Sequence, residues 1–285
     1  MVVFMMVCAF SPLANFAQET VKPVSVKEVY VQIGTPYNWN NAVTPNDFMR
    51  VFSQSVFLKE DMTGYQQSGG SYSYGESKFA VQMGLKFRNK EKTDFRNATL
   101  RVGLVGTDGV SFGSTLYKSN TFHYDTLISQ KTGAQYFVDS QSFSSYAMNY
   151  QSTNLLLDVA LIYRNNSSKR WSLFGGFGIA AGASITANGI VRKDQYNNVA
   201  NGFGSSSNSS SNNSQQEVFK GPKNILVSAY IPLGVDFKLS KKNNFFSKIH
   251  LFYEMQPSLA YAKVDGFGSF SNLKVMNALG TRINW

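Results

Sequence analysis

Cysteine is almost missing from this chain: the single one, Cys8, sits in the opening stretch MVVFMMVCAF. That apolar core is followed by SPLANFAQE, with small residues ahead of a cut after Ala17, the pattern of a secretory leader over residues 1–17. Met5-Met6-Val7 is a poor approach to a lipidated cysteine, so no lipid anchor is expected there. The mature part, residues 18–285, would then hold no thiol, which excludes disulfides and thiolate chemistry. Long apolar runs are missing as well. Beyond the leader nothing resembles the roughly 20 apolar residues of a membrane-spanning helix, and the mean hydropathy is -0.20. Acid is scarce beside base, with 17 Asp and Glu against 27 Lys and Arg and a formal charge of +10. The basic residues are scattered rather than gathered, so no nucleic-acid-binding patch is expected. No zinc, nucleotide or haem spacing is found, and no cofactor or metal is expected.

What the chain does have is a period of two. In WSLFGGFGIAAGASITA, Trp171, Leu173, Phe177, Ile179 and Ile185 alternate with Ser172, Gly176, Gly178, Gly182 and Ser184. A strand sends alternate side chains to opposite faces, so one face is apolar and the other small or polar. The same alternation recurs around Val29–Ile33, Phe79–Phe87, Ala98–Leu104, Leu155–Tyr163, Ile225–Leu239, Ile249–Leu259 and Leu273–Trp285. Charged residues fall on the face opposite the apolar row. Eight strands long enough to cross a bilayer follow, and their apolar rows fit lipid if the sheet closes without a free edge. In a soluble sandwich or lipocalin-like barrel the same rows would face inward, with Lys86, Arg101, Lys238 and Arg282 in water.

Short polar connections at Asn89–Phe95, Asn165–Arg170 and Ser240–Asn244 alternate with longer ones near Thr35–Glu76, Asp108–Phe143, Lys193–Gly221 and Asp265–Asn272. This asymmetry, short periplasmic turns against long external loops, predicts an all-β, eight-stranded, antiparallel up-and-down transmembrane barrel. It requires a long third strand running past Val105, bulged near Gly106–Gly109, towards Asp125. The strands around Phe143–Arg164 and Trp171–Arg192 exceed a membrane crossing and should project as a paired sheet. Phe87, Tyr163, Trp171, Phe245 and Trp285 should form an aromatic girdle at the periplasmic end. In the first long loop, Thr44-Pro45-Asn46-Asp47 predicts a helix start, with Phe48, Val51 and Phe52 on one face. Gly204–Gln216 is low-complexity and reads as a loop tip.

The leader, the alternating strands and the closing segment NLKVMNALGTRINW resemble the small outer-membrane β-barrel proteins grouped with OmpA, OmpX and the porin family of Gram-negative bacteria. The resemblance implies an integral barrel in the outer membrane, delivered by the barrel-assembly machinery through its terminal aromatic strand. It implies no peptidoglycan-binding domain after Trp285, and a likeness in architecture more than in activity. Partners expected are outer-membrane lipid and lipopolysaccharide, whose phosphates attract basic side chains, and a host or cell-surface ligand at the external loops. A monomer is expected.

The enclosed row would carry a charge network of Lys78, Lys86, Arg88, Arg101, Asp158, Arg164, Asp236, Lys238, Lys248, Glu254, Lys274 and Arg282. Enclosed charges must be paired or hydrated, which makes this set a salt-bridged plug holding the barrel's shape. Its basic excess leaves a narrow channel for anions or small solutes as the alternative, although eight strands enclose little lumen. A third reading is a lipid-modifying enzyme or esterase at the external rim. His123 and Asp125, two apart on a strand, would share a face near Ser119 and Ser142–Ser145. No nucleophile motif accompanies them, so no catalysis is expected. His250 should be a hydrogen-bonded interior residue. The leading expectation is a structural or surface-interaction, adhesion-like role.

Overall fold

Alternating side chains can segregate only if every strand finds neighbours in register. In the computed structural model, which describes residues 24–38, 43–68, 77–87, 98–165, 169–200, 211–240 and 243–285, they do so in one antiparallel sheet. Its strands are β1 (Val24–Asn38), β2 (Gln66–Ser68), β3 (Lys78–Phe87), β4 (Thr99–Thr107), β5 (Ser111–Ile128) and β6 (Gln135–Arg164). They continue with β7 (Trp171–Ala200), β8 (Ser211–Lys220), β9 (Asn224–Tyr230), β10 (Leu233–Lys238), β11 (Ile249–Val264) and β12 (Gly268–Asn284). Helix α1 (Pro45–Val51) lies between β1 and β2.

Ladder partners run β1, β3, β4, β6, β7, then β9 and β10, then β11 and β12, and β12 pairs back onto β1. β9 and β10 are two halves of one strand position, since both pair with β7 on one side and β11 on the other. The break between them falls at Pro232, which has no N–H to give to a ladder. Among the described residues the pairings therefore close a ring of eight strand positions.

Orientation settles which way the rows face. Ile33, Leu157 and Leu279 are 62%, 57% and 62% exposed, whereas Arg101, Asp158 and Arg282 are at most 1% exposed. The soluble-barrel arrangement would need the reverse. The register keeps each row intact around the ring: Tyr30 faces Arg282 across β1 and β12, and Ile33 faces Leu279.

Two of the expected long loops are largely strand. β6 and β7 pair from Arg164 and Phe174 out to Asp139 and Ala200, with one irregularity at Thr153/Asn154. Beyond the ring, β5 takes over from β4 as the neighbour of β6, and β8 flanks β7. β4 and β5 thus behave as one long third strand, interrupted at 108–110 where Gly109 has φ +66°. The fourth expected loop is not long: the β11–β12 ladder reaches Val264 and Gly268, leaving a three-residue turn. Gly266 and Gly268 make it tight by adopting φ +82° and +99°.

At the short-turn end, Tyr163, Trp171, Phe245 and Trp285 are exposed, and the Trp171 and Phe237 rings lie 4.5 Å apart. At the other end α1 folds inward. Thr44 caps it, its side chain accepting from the Asp47 backbone N–H while Asp47 reaches back to Thr44. Pro45 occupies the first turn, and Phe48 and Phe52, one turn apart, are both buried.

Candidate functional site

The enclosed face is filled in layers. Nearest the short turns, Glu28 accepts from Arg282 at 2.8 Å, from Arg164 at 3.2 Å and from the Tyr30 hydroxyl, with Lys86 at 3.4 Å. Arg282 spans from Glu28 to Asp236, which it meets through Nε at 2.8 Å and through the second guanidinium nitrogen at 3.0 Å. His250 Nδ1 lies 2.6 Å from Asp236 Oδ1 and is buried, as its place in the row implies. Two arginines whose planar forks each reach an acid suit this layer, because a fork satisfies two acceptor lobes without extra space. Tyr30, Phe252 and Phe174 form the next layer, with ring centroids 5.9 Å and 6.2 Å apart.

The middle layer is a second ionic network. Arg101 donates to Glu254 through both terminal nitrogens, at 2.7 and 2.9 Å. Gln256 donates to the same carboxylate, while its own carbonyl accepts from Lys78 Nζ at 2.9 Å. Asp158 accepts from the Tyr230 hydroxyl at 2.6 Å and from Gln82. Burial of these charges is tolerable because each carboxylate has at least two donors.

Further out, Asn154 donates to Asn224 at 2.6 Å, and Asn224 donates to the Tyr150 hydroxyl at 3.0 Å. An aromatic cap closes the mouth above them. Phe48, Phe52, Phe112, Tyr150 and Phe267 are all buried, with Phe48–Phe267 at 5.1 Å and Phe112–Phe267 at 4.6 Å. The rest of the first long loop, residues 43–68, lies as a strap over the inner face of the projecting sheet. Ser55 donates to Glu217, Tyr65 to Ser144 at 2.7 Å, and both Tyr146 and Lys193 donate to Glu60. The hydrogen bonds from Lys193 and Tyr146 hold the Glu60 carboxyl below its ordinary range. Burial, reinforced by Glu60, pushes the Tyr146 phenol well up.

Of the twelve charges expected inside, Lys78, Lys86, Arg101, Asp158, Arg164, Asp236, Glu254 and Arg282 are joined in these networks. Lys274 lines a cavity beside Lys78. Lys238 is half-buried at the rim, where its backbone N–H meets Arg170. Lys248 is a correction: it is exposed at the end of a 3-10 turn, Phe246–Lys248, so the strand period that placed it inside begins only one residue later. Arg88 and the whole leader lie outside the described residues. Reading the sequence missed Glu28, which stands two residues before Tyr30 on the same row and has, among the described residues, three cationic partners in Lys86, Arg164 and Arg282.

The rim pair is also corrected. His123 and Asp125 are exposed on projecting β5, and a bulge separates them: His123 pairs with Asp139 and Asp125 with Val138. Two steps on β5 thus match one on β6, which cancels the two-residue rule that put them on one face. His123 Nε2 lies 2.8 Å from Thr126 Oγ1, and Ser144 is engaged by Tyr65.

No protein-family model matches the sequence, and no curated protein does. Among solved structures, the attachment invasion locus protein Ail of Yersinia pestis, in complex with the heparin analogue sucrose octasulfate, is 13% identical over 91% of this chain and 100% of its own, with a TM-score of 0.24. A second structure of Ail gives 12% and 0.22 over the same shares. OmpT, an outer membrane protein of Vibrio cholerae, gives 9% identity, 94% and 99% coverage and a TM-score of 0.14. Likenesses this distant say nothing about activity.

Proposed function

We propose that the ring is an eight-stranded transmembrane barrel of a Gram-negative outer membrane, and that its work is done by the projecting surface. The observation that carries this reading is the inverted distribution of side chains. The outside is an apolar band and the inside is packed with ion pairs, which fits hydrocarbon around the ring and leaves no need for water there. A lumen crossed by two ionic layers and closed by the aromatic cap favours a plug over the anion-channel alternative. The surface that remains is the sheet of β5 to β8. Beyond Tyr117, β5 pairs only with β6 among the described residues, so its other edge is open to strand addition by a partner. Membership among the OmpA/OmpX-like small barrels belongs to the same proposal, as do the leader and assembly through the closing strand.

The test joins two measurements. Refolded protein in planar bilayers should give no discrete conductance steps. A variant lacking residues 119–143, whose ends Ser119 and Phe143 are register partners, should still fold into membranes yet lose attachment to cells or matrix. Ion-selective steps, or attachment unchanged by the deletion, would refute the surface role.

A further inference from the structure

The far end of the projecting sheet differs in character from its stem. Ser119, Asn120 and Thr121 on β5 are exposed and polar, whereas Leu127 and Ile128, beyond the bulge, are 44% and 62% exposed. Ile128 pairs with Gln135, so these two residues stand on the last rungs of the β5–β6 hairpin. A strand rises about 3.3 Å per residue, which sets this tip roughly 50 Å along β5 from Phe112 in the aromatic cap. Lipid that covers the outward row of the ring therefore leaves the tip bare.

Two features of the tip bear on what can cover it. Neighbouring strand residues point to opposite faces, so Leu127 and Ile128 present apolar surface on both sides of the hairpin. A flat protein surface docked on one face would leave the other in water, whereas a lipid interface surrounds both. The turn also satisfies its own backbone. Ser129 donates its N–H to the Ala134 carbonyl at 2.9 Å, and Gly133 donates to the Ser129 carbonyl at 2.8 Å. The Thr132 N–H goes to Ser129 Oγ at 3.3 Å and the Ala134 N–H to Thr132 Oγ1 at 3.4 Å. Groups paired in this way do not need water when the tip leaves it. From 126 to 135 the sequence carries a single charge, Lys131, and it is exposed.

We propose that the β5–β6 tip docks on the anionic surface of a second lipid bilayer, apposed to the one that holds the ring. Leu127 and Ile128 enter the boundary between headgroups and acyl chains, and Lys131 stays at headgroup level against anionic groups. One tip holds weakly. Many copies in one membrane act together, since each engaged tip keeps its neighbours close to the same surface. This docking rests on the surface role proposed above and gives that role a partner, lipid.

Refolded protein in vesicles of phosphatidylcholine, mixed with protein-free vesicles of phosphatidylcholine and phosphatidylglycerol, tests this. Docking is read as energy transfer between dyes in the two populations, and it is expected with the parent chain. Leu127→Ser with Ile128→Ser should raise the acceptor lipid needed for half-saturation about tenfold or more. Lys131→Gln should raise it about fivefold on the anionic mixture and leave docking on pure phosphatidylcholine as it was. All three side chains are exposed and outside the ring, so the variants should keep the parent's urea midpoint. Absence of docking, docking unchanged by the double substitution, or docking that needs the protein in both populations overturns the proposal. If attachment to cells is nevertheless lost on deleting 119–143, the surface role stands with a protein partner; if attachment survives as well, the surface role has failed too.

Discussion

Replacing Arg101 and Glu254 separately and together probes the ionic interior most sharply. Their side chains are 1% and 0% exposed and share two hydrogen bonds, at 2.7 and 2.9 Å. Removing one partner of such a pair strands the other, at a cost of about 3–5 kcal/mol. Arg101→Met with Glu254→Met should fall within about 1 kcal/mol of the parent, because an apolar pair of similar bulk needs no desolvated charge. The assay is urea unfolding of refolded protein in lipid vesicles, followed by tryptophan fluorescence. If the double variant is as unstable as the sum of the singles, the two residues are not acting as a pair and the layered plug is misread.

Three other outcomes follow from the same geometry. Gly103→Ala would place a Cβ 2.2 Å from the Val81 carbonyl oxygen and should cost about 1–3 kcal/mol, whereas Gly106→Ala, nearest neighbour 3.9 Å, should be almost silent; vesicle unfolding separates them. Leu157→Arg, on the outward row at 57% exposure, should cost about 2–4 kcal/mol in vesicles, and a chain indifferent to it would not be lipid-facing. The Glu60 carboxyl is depressed below 4.5 in the folded strap, so its contribution is complete above that pH and fades as pH falls through the lower folded value. Limited proteolysis of residues 43–68 should show the strap loosening in acid for the parent, and Glu60→Gln should abolish that step.

How much was legible depends on how local the signal is. Strand rows are a period-two property, so Leu157 outside and Asp158 inside could be read from adjacent letters. Enclosure is not local, and only the closed ladder shows which row lies inside and which outside. The rule failed where the backbone leaves its period: at Lys248, which precedes the strand, and at the bulge between His123 and Asp125. It understated the projecting sheet because stretches such as Ser140–Ser145 carry few apolar residues, yet pair with β5 and β7 throughout. Glu28 was within reach, one step down the row from Tyr30. Its importance was not, since Lys86, Arg164 and Arg282 reach it from three other strands.

The cap shows the same limit from another direction. Phe48 and Phe52 announce an amphipathic turn of helix by spacing alone, but their partners Phe112, Phe219 and Phe267 lie far away in sequence. Phe48 follows β1, and Phe267 stands in the turn that precedes β12. Those two strands meet only where the ring closes. The Phe48–Phe267 contact therefore depends on closure, and so does Arg50, which donates to the Gly266 carbonyl across the same seam. Packing about the cap stabilises the closed ring over an open sheet without touching the outward-facing row. A loop built this way is a clasp on the seam as well as a lid on the lumen.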